Sequence, residues 1–382
     1  MRILQVHTHY RQPGGEDAVV DTEARLLRAS GHDVLTWQEA NPQGTGAVVS
    51  LAGAAWNPAA ARRLRRAAER FRPDVAHVHN TWFAMSPAAI TTLHRLEIPV
   101  VMTLHNYRLI CAAATLYRDG APCHDCVGTH PWHAVTHGCY RGSRIQSAVA
   151  AASMAVHAKR GTWHEEVDRF LALSEFGRQQ VVAGGLPENK VLVKPNSVND
   201  PGTRADPPSA SRKVLFVGRL SEEKGVGGLL QAWSDISADL ELLIVGAGPL
   251  EDQLRRIAPA GVTFTGRQPP AVVAELMLSA RALVFPSTWY EGQPLTILEA
   301  AAAGLPVVLS DLGAMPEVFA PNAEELLFSA GDRSQLAERL DRLTANDFVD
   351  HYGTLTRQLF ESRYTHEVAL QRLEKIYASV LE

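Results

Sequence analysis

The sequence predicts an α/β protein made of two Rossmann-like domains, each built on a doubly wound parallel sheet. Short apolar runs rich in β-branched residues alternate with amphipathic helical patterns along the chain. A segment rich in Pro, Ser, Asn and Asp interrupts this alternation over residues 195–212 and has the composition of a linker. The length of 382 residues is typical of two domains.

Each side of the linker has its own strands. The first side contains RILQV, HDVLTW, PDVAHVH, PVVMTLH, FLALS and KVLVKP, and the second contains RKVLFVG, LELLIVG, VTFTG, ALVFPS and LPVVLS. We expect an N-terminal domain over residues 1–198 and a C-terminal domain over residues 199–362. Residues 363–382 form an amphipathic helical pattern, which we expect to cross back to the first domain.

The composition excludes several other classes of protein. Hydrophobic residues make up 46% of the chain and charged residues 20%, which is typical of a folded globular protein rather than a disordered chain or a coiled coil. The net charge of −4 argues against a nucleic-acid-binding protein. No apolar window approaches 18 residues and the N-terminal run is too short for a signal peptide, so we expect no membrane span and a cytoplasmic location.

Residues that directly follow strands are candidate site residues, because ligands of parallel sheets bind at the carboxyl ends of the strands. These residues are His7, His9, His79, His105, Gly218, Gly246, Gly266 and Ser287. We expect them to line a cleft between the two domains.

The segment VGRLSEEKGVGGLL carries two cations next to a predicted helix start. Arg219 and Lys224 follow a strand, and Gly225 opens the helix. Cations and free backbone amides at a helix N-terminus favour a phosphate-bearing ligand. The alternative is a solvated turn with two ordinary surface cations.

The segment WYEGQPLTILEAAAAGLPVVLS carries two carboxylates, Glu291 and Glu299, with seven residues between them. A helix start lies between them and offers backbone amides to an anion; it comprises Gly292, Gln293, Pro294 and Leu295. Glu299 can bind a vicinal diol such as ribose, and Glu291 can reach a sugar hydroxyl. The alternative is a capped helix whose acidic residues balance its dipole.

Together these segments resemble family 4 glycosyltransferases, the retaining, nucleotide-sugar-dependent enzymes of the GT-B fold, in which two Rossmann-like domains face each other across a cleft. The matching segments keep the family's order and spacing over nearly the whole chain. They are the Gly14-Gly15 pair, TLHNY at His105, GRLSEEKG, IVGAGPLED, FTGR, PSTWYEGQPLTILEAAAAGLPVV and SDLGAMPEV.

The resemblance implies that Arg219 and Lys224 hold the donor diphosphate and stabilise the leaving group. It implies that Glu299 binds the ribose hydroxyls and that Glu291 holds the donor sugar. The backbone amides of Gly292, Gln293 and Leu295 would bind sugar and phosphate, next to Pro294.

Further roles follow from the same resemblance. Gly266 and Arg267 would flank the base, and His105 would contact the transferred sugar. Backbone at the Gly14-Gly15 pair would approach the diphosphate closely. Gly218 and Gly246 are assigned to the donor site as strand-end residues. Gln293 departs from the family, which often has an aromatic residue there, and this departure can alter how the sugar is seated.

The resemblance also implies a mechanism without a catalytic metal. Two fixed cations and helix amides can neutralise a departing nucleoside diphosphate, and the sequence has no DxD motif. The family is usually assigned front-face attack, in which a phosphate oxygen helps to take the acceptor proton. Glu291 is not expected to be a covalent nucleophile. The nucleotide-sugar is the co-substrate, and no cofactor is expected for catalysis.

Four cysteines lie in one insert over about residues 107–142, and the spacing is Cys111-x11-Cys123-x2-Cys126-x12-Cys139. One CxxC pair flanked by two single thiols can form a tetrahedral zinc site. Free thiols and disulfides are the alternatives, and disulfides are the least expected in a cytoplasmic protein.

Two further patterns have a functional and a structural interpretation. Five histidines at strand ends, namely His7, His9, His77, His79 and His105, suit hydrogen bonds to a sugar better than a catalytic metal site. The helical segment from Arg62 to Arg72 carries six arginines and one glutamate. It can rest on anionic lipid at the inner face of a membrane, or it can be a solvated helix face.

We therefore expect a glycosyltransferase that acts on a glycan or lipid-linked acceptor in exopolysaccharide or cell-envelope assembly. Transfer to a small secondary metabolite is the alternative within this class. A non-hydrolysing sugar-nucleotide epimerase and an inactive sugar-binding protein are less favoured. An NAD-dependent oxidoreductase is disfavoured because Glu251 stands where the dinucleotide fingerprint requires its third glycine.

Overall fold

The computed structural model of the protein describes residues 1–9, 14–41, 53–236, 239–321 and 324–382. The chain forms two compact units. The first comprises Met1–Arg118, Cys123–Pro195 and Ala369–Glu382, and the second comprises Asp119–Pro122 and Asn196–Val368.

The first unit contains a six-stranded parallel sheet in the order β2-β1-β3-β4-β7-β8. Its strands are β1 Arg2–His9, β2 Asp33–Ala40, β3 Val75–Asn80, β4 Val100–Leu104, β7 Arg169–Ala172 and β8 Val191–Val193. Strands β3 and β4 are buried along their whole length, which explains their continuous apolar character. The expected doubly wound parallel sheet is confirmed for this half.

The helices of the first unit lie between these strands in the sequence. They are α1 Gly15–Ala29, α2 Pro58–Phe71, α3 Ala88–His94, α4 His133–His137, α5 Arg144–Lys159, α6 Thr162–Glu165 and α7 Glu175–Ala183. Several begin where a side chain accepts a hydrogen bond from a free backbone N–H: Asn57 caps α2, Ser143 caps α5 and Ser174 caps α7.

The cysteine-containing insert has little regular structure. It contains two strands of two residues each, β5 Tyr117–Arg118 and β6 Ala121–Pro122, and the short helix α4. The interior next to it includes Trp82, Phe83 and Tyr140, and the side chains of Cys126 and Cys139 pack against this cluster.

The second unit contains a six-stranded parallel sheet in the order β11-β10-β9-β12-β13-β14. Its strands are β9 Lys213–Val217, β10 Glu241–Val245, β11 Val262–Gly266, β12 Ala282–Phe285, β13 Val307–Ser310 and β14 Leu327–Phe328. Its helices are α8 Val226–Trp233, α9 Glu251–Ile257, α10 Pro270–Leu278, α11 Leu295–Ala302, α12 Met315–Phe319, α13 Arg333–Arg342 and α14 Asn346–Arg363. The five strands predicted from the sequence are confirmed, and β14 is an additional edge strand.

The last helix, α15 His366–Leu381, contributes its residues from Ala369 onward to the first unit. Leu373, Ile376 and Tyr377 pack in one apolar cluster with Ile3 and Leu27. The hydroxyl group of Tyr377 lies 2.8 Å from Nδ1 of His77. Among the described helices, none combines the length and the apolar character that crossing a membrane requires.

Two strand-end loops of the second unit approach each other closely at Gly246. This residue has a φ of +145°, and a Cβ atom there would overlap the carbonyl oxygen of Gly218. Leu220 next to it is tied to the same loop, because its N–H donates to the carbonyl of Ala247 at 3.1 Å. Glycine at 246 is therefore required by both the backbone conformation and the available space.

We expect Gly246→Ala to destabilise the second unit by about 3 kcal/mol, because the alanine adds both strain and overlap. This corresponds to a decrease in Tm of about 10 °C by calorimetry. Gly227→Ala is the matched control: a Cβ at this position in α8 meets no atom within 4 Å. Equal melting temperatures for the two variants would contradict the close approach.

Candidate functional site

The carboxyl ends of three neighbouring strands in the second unit form one edge. The N–H of Gly218 donates to the carbonyl of Val245 at 3.0 Å, and the N–H of Gly246 donates to the carbonyl of Gly266 at 2.9 Å. The structure therefore brings the three strand-end glycines together, because β9, β10 and β11 are adjacent and end at the same level.

Lys224 and Glu291 meet directly in the second unit. The Lys224 ammonium donates to Oε1 of Glu291 at 2.6 Å, and the Ser287 hydroxyl donates to the same oxygen at 2.5 Å. Their loops are also joined through the backbone, since the N–H of Thr288 donates to the carbonyl of Glu223 at 2.8 Å. A cation and a carboxylate predicted from separate motifs thus form one ion pair that is largely shielded from solvent.

Two aromatic rings flank the Lys224 ammonium, with centroids at 5.4 Å for Phe285 and 5.3 Å for Trp289. Both rings are within the range of a cation–π interaction. The indole N–H of Trp289 is buried and has no hydrogen-bond partner within the described ranges. Trp289 was not predicted to be a site residue, although its position two residues before Glu291 was a usable signal.

Two arginines at the strand ends are exposed and form no ion pair with any described residue. Arg219 follows β9, and Arg267 follows β11. Their charges are therefore available to an anionic ligand, whereas the charge of Lys224 is partly balanced by Glu291.

Glu299 lines a cavity of about 390 Å³ that lies within the second unit. The cavity also includes Asn199, Pro201, Val217, Gln268 and Met277. Burial raises the pKa of the Glu299 carboxyl group. Its carboxylate has no hydrogen-bond or ion-pair partner in the described part of the chain, so it is available to hydroxyl groups of a ligand.

Gln293 makes structural contacts at the start of α11. Its side-chain carbonyl accepts the N–H of Asn196 at 2.6 Å, and its backbone carbonyl accepts from the Asn196 side chain at 3.2 Å. Pro294 is the residue before the helix, which begins at Leu295. The residue at which the sequence departs from the family pattern thus connects the beginning of the second unit to this helix.

In the first unit, Asp17 gathers several polar groups at the end of β1. Its Oδ1 lies 2.8 Å from Nε2 of His7 and 2.9 Å from Nδ1 of His9. The N–H of Gly14 donates to its second oxygen at 2.8 Å. Burial raises the pKa of Asp17, but the hydrogen bonds from His7, Gly14 and His9 outweigh it, so its pKa is below the usual value. Gly15 begins α1 directly after this contact.

A second buried group centres on Glu23, which forms an ion pair with Lys194. Burial raises the pKa of Glu23, but the charge of Lys194 outweighs this effect and the pKa is lowered. The signal for Glu23 was present in the sequence, because it falls on the apolar stripe of α1 with Val20 and Leu27. Lys194 directly follows β8 and was likewise a strand-end residue.

The histidines of the first unit differ in how deeply they are buried. His77 is fully buried, and its nitrogens lie 2.7 Å from the Thr103 hydroxyl and 2.8 Å from the Tyr377 hydroxyl. His77 therefore belongs to the core, and the expectation that it contacts a sugar is wrong. Nε2 of His105 lies 3.0 Å from Nδ1 of His79, and His105 is only partly buried.

His105 and His79 line a cavity of about 50 Å³ within the first unit. Trp82, Arg108 and Trp163 also line it. Burial lowers the pKa of His105 to about 3. Its imidazole is therefore neutral near pH 7 and can offer a hydrogen bond but not a charge.

The four cysteines are partly buried, and none is paired in a disulfide. Burial, together with the neighbouring thiols, raises the pKa of the Cys126 thiol to about 11. Two groups of three side chains in the described residues have potential metal-ligating atoms within 4.8 Å of one another: His7 with His9 and Asp17, and Glu23 with His77 and His79. The cysteines do not form such a group.

The arginine-rich segment forms α2, and all six arginines between Arg62 and Arg72 are exposed. Arg63 pairs with Glu39 at 2.7 Å and Arg65 with Glu69 at 2.8 Å. The helix buries Leu64 and Ala68 on its opposite side.

Two family models match the chain. The model of Glycosyltransferase Family 4 matches residues 13–200, and the model of Glycosyl transferases group 1 matches residues 211–346. A phosphatidyl-myo-inositol mannosyltransferase of Mycobacterium leprae is 32% identical over 231 residues, which are 57% of this chain and 61% of that protein. The putative teichuronic acid biosynthesis glycosyltransferase TuaC of Bacillus subtilis is 26% identical over 272 residues, 71% of this chain and 61% of that protein. The matches thus span about three fifths of these two relatives.

Solved structures share the fold. Anabaena HepE in complex with UDP has a TM-score of 0.70 at 16% identity, over 99% of this chain and 100% of that one. The expected two Rossmann-like domains of the GT-B fold are confirmed by this likeness and by the two parallel sheets. From the strand-end residues, the two matched models and the shared fold, we conclude that this chain belongs to glycosyltransferase family 4.

Proposed function

We propose that the protein is a retaining glycosyltransferase that moves a sugar from a nucleoside diphosphate donor to a hydroxyl acceptor. The observation that carries this proposal is the Lys224–Glu291 ion pair of the second unit, together with the exposed guanidinium of Arg219, which has no ion-pair partner among the described residues. A diphosphate is a good leaving group when its developing charge is neutralised. Fixed cations can do this without a catalytic metal.

In this proposal, different residues bind different parts of the donor. Arg219 and Lys224 bind the diphosphate, and Lys224 can do so while keeping Glu291 because an ammonium has three donors. Glu299 accepts the ribose hydroxyls, and Arg267 lies beside the base. In the first unit, neutral His105 contacts the transferred sugar.

Glu291 orients the sugar rather than attacking it. Its Oε1 already accepts hydrogen bonds from Lys224 and Ser287, which lowers its nucleophilicity. We therefore propose front-face attack: the acceptor oxygen bonds to the anomeric carbon as the bond to the phosphate oxygen breaks. The acceptor proton passes to that phosphate oxygen, and the configuration is retained.

The relatives support a role in cell-envelope or exopolysaccharide assembly. These relatives include a phosphatidyl-myo-inositol mannosyltransferase, a putative teichuronic acid biosynthesis glycosyltransferase and the amylovoran biosynthesis glycosyltransferase AmsK of Erwinia amylovora. A lipid-linked or glycan acceptor fits these names better than a small secondary metabolite.

We expect Lys224→Ala to reduce transfer at least about a hundredfold, because the leaving group loses its buried cation. Transfer is measured without added Mg²⁺, with UDP-glucose and GDP-mannose as donors, and the anomer of the product is identified by NMR. Lys159→Ala removes an exposed lysine of α5 and is the charge-matched control. An unchanged rate in Lys224→Ala would contradict the diphosphate assignment, and an inverted product would contradict retention.

We further propose that α2 rests on anionic lipid. Arg62, Arg66 and Arg70 share one face of the helix, and none has an acidic partner among the described residues. We expect the protein to sediment with vesicles that contain 30% phosphatidylglycerol and to be released by salt. Vesicles of phosphatidylcholine alone, and the triple variant Arg62→Glu, Arg66→Glu, Arg70→Glu, should not bind. Failure of the unmodified protein to bind the anionic vesicles would overturn this proposal.

A further inference from the structure

A line of side chains connects the buried Glu23, through the buried His79, to the partly buried His105 in the first unit. Nε2 of His105 lies 3.0 Å from Nδ1 of His79, and Nε2 of His79 lies 3.6 Å from Oε2 of Glu23. Both this ring nitrogen and this carboxylate oxygen are buried and have no hydrogen-bond partner among the described residues. Two unpartnered polar atoms therefore face each other.

Few other hydrogen-bond donors among the described residues are available to the Glu23 carboxylate. Its Oε1 is occupied by the ammonium of Lys194. His77 is at 3.7 Å from Oε2, but both of its nitrogens already contact hydroxyl groups. The other titratable groups of this interior among the described residues include Tyr377, whose hydroxyl contacts Nδ1 of His77, and His7 and Asp17, which bind each other. Lys194 keeps Glu23 ionised, and burial lowers the pKa of His79 well below its ordinary value.

These conditions determine which ring nitrogens carry hydrogen. A neutral imidazole has one N–H group and one lone pair, and an ionised carboxylate can only accept. The hydrogen of His79 is therefore favoured on Nε2, towards Glu23. Nδ1 of His79 is then an acceptor, so the 3.0 Å contact requires His105 to donate from its Nε2.

We propose that Glu23 sets the tautomer of His105 through His79, which leaves Nδ1 of His105 as an acceptor for a ligand hydroxyl group. Glu23 and His79 are positioning residues, and neither needs to touch the ligand. The assignment of this hydroxyl group to a sugar rests on the proposed function. The assignment of the tautomer does not depend on that function.

The test is a long-range ¹H–¹⁵N correlation spectrum of the full chain labelled with ¹⁵N-histidine at pH 7. The signals of His105 are assigned by their loss in His105→Gln. We expect the Nε2–H form in the unmodified protein. The Nδ1–H form, or an even mixture of the two, would overturn the proposal without any variant of Glu23 having to fold.

Glu23→Gln gives a sharper outcome. Lys194 would hold the amide oxygen, so the amide NH₂ would face His79 and donate to its Nε2. We expect both rings to invert, with His105 becoming the Nδ1–H form. Glu374→Gln, which changes the carboxylate beside His32 in the same unit, is the matched control and should leave His105 unchanged. A folded Glu23→Gln protein with no inversion would also overturn the proposal.

Kinetic measurements distinguish a failure of this inference from a failure of the proposed function. If the protein is a transferase, Glu23→Gln should lower kcat/KM about tenfold, the value of one hydrogen bond, with donor binding by the second unit unchanged. Absence of transfer in the unmodified protein would contradict the proposed function alone. An inverted tautomer with an unchanged kcat/KM would overturn the positioning role.

A different observation concerns the cysteine insert. Backbone hydrogen bonds fix three of the four cysteines: the N–H groups of Cys111, Cys123 and Cys139 donate to the carbonyls of Tyr107, Leu116 and Ala134 at 2.8, 2.7 and 3.0 Å. Arg118 joins the hairpin to the CxxC loop through Asp125 at 2.7 Å. The elements of this insert have at most five residues each, so they require an additional constraint to hold together.

We infer that Cys111, Cys123, Cys126 and Cys139 hold one structural zinc ion. Soft thiolate ligands in a set of four are typical of such sites. No three of their sulfur atoms all lie within 4.8 Å of one another in this structure. Binding one ion therefore requires some of the thiols to change between their staggered side-chain rotamers.

The experiment measures zinc by elemental analysis in the full chain, purified without a metal-affinity tag. We expect about one zinc per chain, released when the thiols are titrated with a mercurial. Cys126→Ser should lose the metal, whereas His133→Ala, a neighbouring residue outside the set, should retain it. A zinc-free protein with four titratable thiols, an intact mass that shows disulfides, or zinc retained in Cys126→Ser would each overturn the inference.

Discussion

The buried ion pair of Glu23 and Lys194 is the constraint on which the polar interior of the first unit depends. Both side chains are almost fully buried. Removing one charge would leave the other buried without compensation, a cost of about 3–5 kcal/mol. The pair also connects α1 to the end of β8, so it fixes the position of two elements that are distant in the sequence.

The same pair explains why so many histidines can be buried together. Lys194 lies next to His77 and disfavours a second positive charge there, in addition to the effect of burial on its pKa. The interior therefore has neutral rings, which supply directional hydrogen bonds rather than charge. The second unit is organised in the opposite way, with Arg219 and Arg267 exposed at its strand ends. The first unit thus contains a cluster of neutral histidines, whereas the second presents exposed cations at the ends of its strands.

The sequence predicted the edge residues better than the buried ones. Apolar runs marked the strands, and Gly218, Gly246 and Gly266 were correctly placed at one edge because parallel strands end together. The contact between Lys224 and Glu291 depends on how two loops pack, and local pattern does not encode such a distance. Gln293 was expected to offer its backbone amide to a ligand, which stays a prediction; the structural hydrogen bond between its side chain and Asn196 is one that a local motif cannot reveal.

The position of α15 has a consequence for how the protein is made. Leu373, Ile376 and Tyr377 complete the interior of the first unit, although about 170 residues of the second unit precede them in the chain. During translation the first unit emerges from the ribosome early but cannot close its apolar cluster until residue 377 has also emerged. The second unit, whose residues are nearly contiguous, can fold before then. A nascent chain that stalls within α14 would therefore expose His77 and its apolar neighbours to chaperones and proteases.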